Sequence, residues 1–257
     1  MKTTLLTLTD DGLRACVWRR GAMTPLQLLP DAAALARLTA VEKILLLVDV
    51  TEEDFRVEAV PPLPKAEQIA LAHRRLTTLH GGTPFRRTVR LHRRDRREDV
   101  MSCSALTRPE QITPWLDALR HAPLAGIHSA ATVSAALIRR IAGDHALLLS
   151  WEKHAGLRLS FFAHKHLHFS RLVPCRTIFP SAETLAEEAK RTRQYLIDTG
   201  LLAAERTPAL CLLCNAAHRA EIETHDDTPY VFLDLDEHAR RAGLKTRSTD
   251  SDATPLL

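Results

Sequence analysis

Three histidines at alternating positions make the segment Phe161–Pro174 the first candidate for chemistry. His164, His166 and His168 would share one face of a single extended strand, because strand side chains alternate. Three imidazoles on one face can hold a metal ion. The competing interpretation is an ordinary β-hairpin in which the histidines are polar residues. No Cys, Asp or Glu lies among them, so we favour the hairpin over a metal site.

Cys211 and Cys214 form a C-x-x-C pair, a spacing used in redox exchange and zinc binding. The redox motif places its first cysteine at a helix N-terminus, whereas "ALCLLCN" is an apolar run typical of a strand. On a strand the two side chains point to opposite faces. Five scattered cysteines, without a second pair, argue against a zinc ribbon or a disulfide framework. We interpret both residues as buried structural cysteines.

Arginines crowd the stretch "PFRRTVRLHRRDRRED". They are Arg86, Arg87, Arg90, Arg93, Arg94, Arg96 and Arg97. Acidic residues interrupt them, as expected for a solvated hairpin tip. The alternative is a contact with anionic lipid head groups or an acidic partner. No aromatic residue alternates with the arginines to stack on bases, so we expect no nucleic-acid partner.

The composition is that of a globular protein. The chain has 257 residues, of which 45% are hydrophobic and 26% charged, with a net charge of +4. This length can bury a large core in one big domain or two smaller ones. No apolar run approaches the roughly 20 residues that cross a bilayer, and the N-terminus is not a secretory signal. The cytoplasm is therefore the expected compartment.

The order of elements predicts an α/β protein in two similar halves. The first half opens with the hairpin "TLLTLTDDGLRACVWRRG" and continues to the buried strand "KILLLVDV". The second opens with the strands "HALLLSWE", "GLRLSFFA" and "HLHFSRLVP". An amphipathic helix follows, with Ser181 as a candidate N-cap and Gly200 as the residue that ends it. Between the halves, three prolines introduce a helix and a hairpin of different character.

Three stretches of this framework occur in a recognisable order. They are "VPPLPKAEQIALAHRRL" with its continuation to "PWLDALRHAPLAGIHSAATVSAALIRR", then "LLLSWEKHAGLRLSFFAHKHLHFSRLVP", and finally "LAEEAKRTRQYLIDTGLL". Together they resemble the actin-like family of pilus and secretion assembly proteins. That family includes PilM of type IV pili, the cytoplasmic domain of GspL of type II secretion, and related domains of MSHA-type and bundle-forming pili. The resemblance covers most of residues 1–213.

The resemblance implies a two-lobed actin-like (ribonuclease H-like) α/β fold with an inserted helix–hairpin subdomain. We place the first lobe at 1–143, with the inserted subdomain at 61–106. The second lobe follows at 144–244. Residues 245–257 form a polar tail or linker, which would suit a chain that continues into a membrane helix as in GspL.

The nucleotide elements of the family look degraded in this chain. ATP-binding members cradle phosphates with an Asp and a Gly-Ser/Thr turn in each lobe. Here the first turn, "DDGLR", lacks the Ser/Thr, and the second reads "SWE", whose Trp151 would crowd a phosphate. The region that holds adenosine, "CLLCNAAHRAEI", has no glycine. A vestigial cleft would lie near Asp10, Asp11, Gly12, Ser150 and Glu152, and we expect no cofactor, no metal and no catalytic residue.

The resemblance also implies a function. It is that of a non-catalytic assembly platform at the cytoplasmic face of the inner membrane, with inner-membrane platform proteins and the secretion ATPase as partners. PilM-like proteins hold a short cytoplasmic peptide of the membrane partner in a groove. An anionic membrane surface and a homodimer stay open as further contacts. The alternative is an active actin-like ATP-binding protein, an ATPase or a sugar-kinase relative.

Overall fold

The computed structural model describes residues 2–38, 43–94, 98–139, 141, 143–175, 178–226, 228–245 and 251–254. The strands are β1 (Lys2–Thr9), β2 (Gly12–Arg19), β3 (Ala22–Met23), β4 (Gln27–Leu28), β5 (Lys43–Val48), β6 (Glu53–Val60), β7 (Arg86–Arg94), β8 (Glu98–Leu106), β9 (Leu124–Ser129), β10 (His145–Glu152), β11 (Gly156–Ala163), β12 (His166–Val173), β13 (Ala209–Cys214) and β14 (Tyr230–Asp234). The helices are α1 (Ala32–Leu38), α2 (Lys65–Leu79), α3 (Thr113–Ala118), α4 (Ala130–Val133), α5 (Ala182–Asp198), α6 (Ala216–His225) and α7 (Leu235–Arg241), with 3-10 turns at Pro109–Gln111 and Ser134–Ala136.

Two sheets with the same strand order form the two lobes. The first has the order β3-β2-β1-β5-β9, with β4 also paired to β2, and the second has the order β12-β11-β10-β13-β14. In each, an antiparallel hairpin is followed by two parallel strands. The predicted two-lobed α/β fold is therefore confirmed, with β3 reduced to two residues in the first lobe.

A third sheet, β6-β8-β7, is antiparallel throughout and packs against α2. Its first strand begins at Glu53, ahead of the prolines that mark the helix–hairpin segment in the sequence. Four of the eight residues of β6 are acidic or basic, so the sequence shows no alternation of apolar and polar residues. Only Phe55 and Val60 of this strand are buried. The other edge of β6 runs close to β12 of the second lobe, so this sheet touches both lobes.

The second sheet is buried on both faces, which explains the unbroken apolar runs of its strands. One face packs against α5 through Leu147, Leu159 and Leu185, and the other packs against α7 through Leu148 and Leu235. Helix α5 begins and ends as predicted. The Ser181 hydroxyl accepts a hydrogen bond from the Thr184 N–H at 3.3 Å, and Gly200 follows the helix at φ +70°.

Gly156 opens β11 at a point where no side chain fits. Its φ of +138° lies in the region that favours glycine, and an added Cβ would lie 2.2 Å from the carbonyl oxygen of Val173. The β10–β11 turn therefore depends on this glycine to bring β11 against β12.

We expect Gly156→Ala to lower the free energy of unfolding by about 2 kcal/mol or more, since it combines a strained φ with a backbone clash. Urea unfolding followed by circular dichroism measures the change. Gly82→Ala is the matched control, because an added Cβ there meets no atom within 4 Å, and it should change stability by less than about 0.5 kcal/mol. Equal effects of the two substitutions would contradict the close approach at Gly156.

Candidate functional site

A buried ion pair joins the two lobes. Asp49 follows β5 of the first lobe, Arg158 lies in β11 of the second, and each side chain is only 1% exposed. The Arg158 Nε donates to Asp49 Oδ1 at 3.0 Å, and Nη2 donates to the same oxygen. Nη1 donates to the Ser170 hydroxyl at 3.2 Å, which in turn bonds the Ser160 hydroxyl at 2.9 Å. The guanidinium thus has a partner on each of its three nitrogens.

Two further carboxyl groups surround this pair. Glu152 of β10 is fully buried, and its Oε1 accepts a hydrogen bond from the Ser150 hydroxyl at 2.8 Å. Burial, together with the charge of Asp49, raises the pKa of Glu152 well above the usual carboxyl range. Burial also raises the pKa of Glu53 to about 7, against the attraction of Arg158. One guanidinium therefore pairs with Asp49, while burial favours the neutral form of Glu152.

The predicted phosphate turn of the first lobe is occupied by its own arginine. Asp11 accepts two hydrogen bonds from Arg14, at 2.8 and 2.9 Å, and Arg14 is buried. Asp10 turns the other way and accepts from the Thr51 N–H at 3.3 Å. Gly12 supplies the positive φ of the turn. Both acids therefore accept hydrogen bonds from groups of the protein itself.

Trp151 does not crowd the cleft, contrary to the sequence-based expectation. Alternation along β10 puts Ser150 and Glu152 on one face and Trp151 on the other, where its ring packs edge-to-face on Phe179. Its Nε1 donates to the Cys175 carbonyl at 2.8 Å. The side chains that fill the cleft are instead those of Arg158 and its carboxylate partners.

Part of the polar tail lies between the lobes. Ser251–Thr254 are all buried, although the sequence predicted a linker or a disordered end. The Lys153 N–H, in the β10–β11 turn, donates to Asp252 Oδ1 at 3.1 Å. The Asn215 N–H, ahead of α6, donates to the Ser251 hydroxyl at 2.8 Å. The segment thus meets both second-lobe regions in which the sequence analysis sought nucleotide-binding elements.

The three histidines of the segment 161–174 lie in the β11–β12 hairpin. Among the described residues, no group of three or more His, Cys, Asp or Glu side chains could hold a metal ion. His164 is in the turn at φ +50°, followed by Lys165 at +66°, a pair of positive φ values typical of tight hairpins. His166 is exposed and His168 is buried edge-to-face on Phe161.

The cysteine pair is structural as well. Cys211 and Cys214 pack on opposite faces of the second sheet. Burial raises the pKa of each thiol to about 12, so neither carries the thiolate that redox or metal chemistry needs.

A second concave feature lies beside the cleft, on the first lobe. It is a groove of about 360 Å³ between the edge strand β9 and the third sheet. We call it the β9 groove; its lining residues are Val48, Glu53, Pro84, Phe85, Arg86, Arg87, Ser104, Ala105, Leu106, Ile112, Ile127, His128, Ser129 and Thr132. Among the described strands β9 pairs only with β5, so its other edge faces the groove. Ile127 is 43% exposed there, and the buried Glu53 Oε2 has no hydrogen-bond partner in the described structure.

The arginine run has mixed roles in the described part of the chain. Arg90 pairs with the buried Asp99 at 2.7 Å, and Arg86 donates to the Thr77 hydroxyl of α2 at 2.8 Å. Arg86 and the exposed Arg87 also line the β9 groove. Arg93 and Arg94 end β7, while Arg96 and Arg97 lie outside the described residues.

The residues that matter most to the cleft were missed in the sequence analysis, namely Asp49, Arg158, Glu53 and Asp252. For two of them, Asp49 and Arg158, the sequence contains a feature that could have indicated their role. Asp49 ends the buried strand "KILLLVDV", and the carboxyl ends of parallel strands are where α/β folds place their polar groups. Arg158 is the single charge in "GLRLSFFA", and a charge in a fully buried strand needs a partner. Asp252 had none, because a short polar segment gives no sign of burial.

The two matching sheets and the inserted third sheet define an actin-like fold. A chain of the PilM–PilN type IV pilus biogenesis complex is similar over 86% of this chain and 84% of that one, at 14% identity and a TM-score of 0.55. The cytoplasmic domain of EpsL, an inner membrane component of the type II secretion system of Vibrio cholerae, is similar over 83% and 82%, at 11% identity and a TM-score of 0.49. A Bacteroides thetaiotaomicron protein with an actin-like ATPase fold and unknown function is similar over 94% and 95%, at 13% identity and a TM-score of 0.46.

No protein-family model and no curated protein matches the sequence. The likeness to the PilM–PilN chain establishes the fold, and the predicted resemblance is confirmed at that level. In the described residues, no helix combines the length and the apolar character needed to cross a bilayer.

We expect Arg158→Met to lower the free energy of unfolding by about 3–5 kcal/mol, because it leaves the Asp49 carboxylate buried without a partner. Chemical denaturation measures the loss. Arg120→Met removes a guanidinium from an exposed pair with Asp117 and should cost less than about 1 kcal/mol. The double variant Arg158→Met with Asp49→Leu should recover part of the loss. A cost for Arg158→Met no greater than that of Arg120→Met would contradict this account of the ion pair.

Proposed function

We propose that the protein is a non-catalytic assembly-platform component of a type IV pilus or type II secretion system. It acts in the cytoplasm at the face of the inner membrane and binds membrane partners of the machine there. The free edge of β9 in the β9 groove carries this proposal. The fold shared with a chain of the PilM–PilN complex supports it.

The β9 groove suits an extended peptide. An unpaired strand edge supplies alternating N–H and C=O groups to which a peptide adds as a further strand. Phe85, Ile112 and Ile127 offer apolar contacts for alternate side chains of that peptide. A short cytoplasmic segment of an inner-membrane protein, with apolar residues at alternate positions, has this chemistry.

The arginines at one end of the β9 groove give the partner a preferred charge. Arg87 is exposed and Arg86 half-buried, so acidic residues beside the bound segment gain a favourable interaction. The same basic surface is compatible with anionic lipid head groups, which a protein at the inner membrane meets directly. The secretion ATPase is the other partner that we propose for this platform.

We expect Ile127→Lys to weaken binding of the partner peptide at least about tenfold, since it puts a charge in the apolar part of the β9 groove. The ligand is a labelled synthetic peptide with the sequence of the cytoplasmic segment of the candidate inner-membrane partner, and fluorescence anisotropy gives the dissociation constant. Val231→Lys is the matched control, since Val231 is 42% exposed on the edge strand β14 of the other lobe. Equal affinities for both variants would reject the β9 groove as the binding site.

We expect calorimetry with ATP and Mg²⁺ to show no binding heat, and a phosphate-release assay to show no turnover. The reason is steric and electrostatic, because Arg158, its acidic neighbours and Asp252 fill the space between the phosphate turns. Micromolar binding with turnover would reject the non-catalytic assignment in favour of an actin-like ATPase or a sugar-kinase relative.

A further inference from the structure

We propose that the cleft between the two lobes is a binding site for a short extended peptide that carries a carboxylate, and that Ser251–Thr254 are its built-in ligand. This site is separate from the β9 groove, and the proposal does not depend on the function assigned to that groove. The contacts that define it involve both the backbone and the side chains of the four residues.

The backbone of the segment extends the hydrogen bonding of β10. Strand β13 pairs with β10 along Ala146–Leu149 and goes no further. Two residues beyond that point, the carbonyl of Trp151 accepts a hydrogen bond from the Ala253 N–H at 2.8 Å. The segment thus continues beyond the end of β13, where a backbone acceptor would otherwise be buried without a partner.

Two side chains give the site its selectivity. The Asp252 carboxylate accepts from the Lys153 N–H at 3.1 Å, and from the N–H and hydroxyl of Thr254 at 3.1 and 2.6 Å. The Ser251 hydroxyl accepts from the Asn215 N–H and also bonds His218 Nδ1, both at 2.8 Å. Backbone N–H groups of a turn and of a helix start are well suited to oxygen acceptors, and a carboxylate makes the stronger bond.

Residues 251–254 are buried to the degree expected of a bound peptide. Ser251 and Ala253 are fully buried, and Ala253 packs in the same apolar cluster as Leu213 and Leu235. Ser251 has φ +57°, a conformation that a serine adopts only when its surroundings impose it. The cleft therefore determines the shape of the segment.

The first lobe completes the site. Thr254 lines a cavity of about 280 Å³ whose other walls include Leu5, Leu45 and Leu47 of the first sheet. On the other side of the segment, His154 of the β10–β11 turn lies within electrostatic reach of both Asp252 and Arg14. The segment is therefore bonded to the second lobe and, through Thr254, faces a cavity walled by the first lobe.

Amide hydrogen exchange in the full chain, read by two-dimensional NMR, tests the proposal. In the native protein the Lys153 and Ala253 amides should be protected. Asp252→Ala should reduce both protection factors at least about tenfold, the effect of losing one charge-assisted hydrogen bond. Asp117→Ala, which removes an exposed carboxylate of α3, should change neither. Free-peptide exchange of Ala253 in the native protein, or unchanged protection in Asp252→Ala, would overturn the proposal.

A peptide titration tests the site in trans. The acetylated and amidated peptide Ser-Asp-Ala-Thr, at millimolar concentration, should shift the Lys153 and Asn215 amide resonances of Asp252→Ala. It should leave the native protein unchanged, because the built-in segment occupies the cleft. The same peptide with Asn in place of Asp should shift the variant at least about tenfold more weakly. No shift in the variant, or an equal response to both peptides, would show that the cleft does not select a carboxylate-bearing ligand.

Discussion

The buried charge of Arg158 is the constraint on which the cleft depends. A guanidinium without water must have an anionic partner, and its partner, Asp49, belongs to the other lobe. The pair can therefore exist only when the two lobes are together. The cost of burying this charge explains the polar surroundings. The Ser170 hydroxyl, itself bonded to Ser160, accepts from the guanidinium, and burial raises the pKa of Glu152, which disfavours a second buried negative charge.

The cleft and the β9 groove differ in how their polar groups are satisfied. In the cleft, the acids and backbone donors of the phosphate turns bond to groups of the same chain, through Arg14, Arg158 and Asp252. In the β9 groove, the edge of β9 and the Glu53 oxygen have no such partner in the described structure. The polar groups of the cleft are thus bonded within the chain, whereas no described strand pairs with the outer edge of β9.

Regular patterns made the fold predictable, while single polar residues made the site hard to predict. Alternating and continuous apolar runs located β1, β2, β5 and β10 to β13, and the cap residues Ser181 and Gly200 gave the ends of α5. Strand β6 was missed because its charged residues obscure the period of two. Asp49 and Arg158 are 109 residues apart, and their pairing depends on how the lobes meet, which no local pattern encodes.

The arginines beside β9 have a consequence for self-association. An exposed strand edge tends to pair with the same edge of another copy, which leads to unwanted polymers. Two copies joined through β9 would bring Arg86 and Arg87 of each chain together, and like charges at close range oppose that pairing. Arg86 and Arg87 thereby oppose pairing with an identical copy of the chain, whereas they do not oppose pairing with an acidic or neutral strand. Charge at the rim of an open strand edge can in this way act against edge-to-edge polymers without closing the edge to other strands.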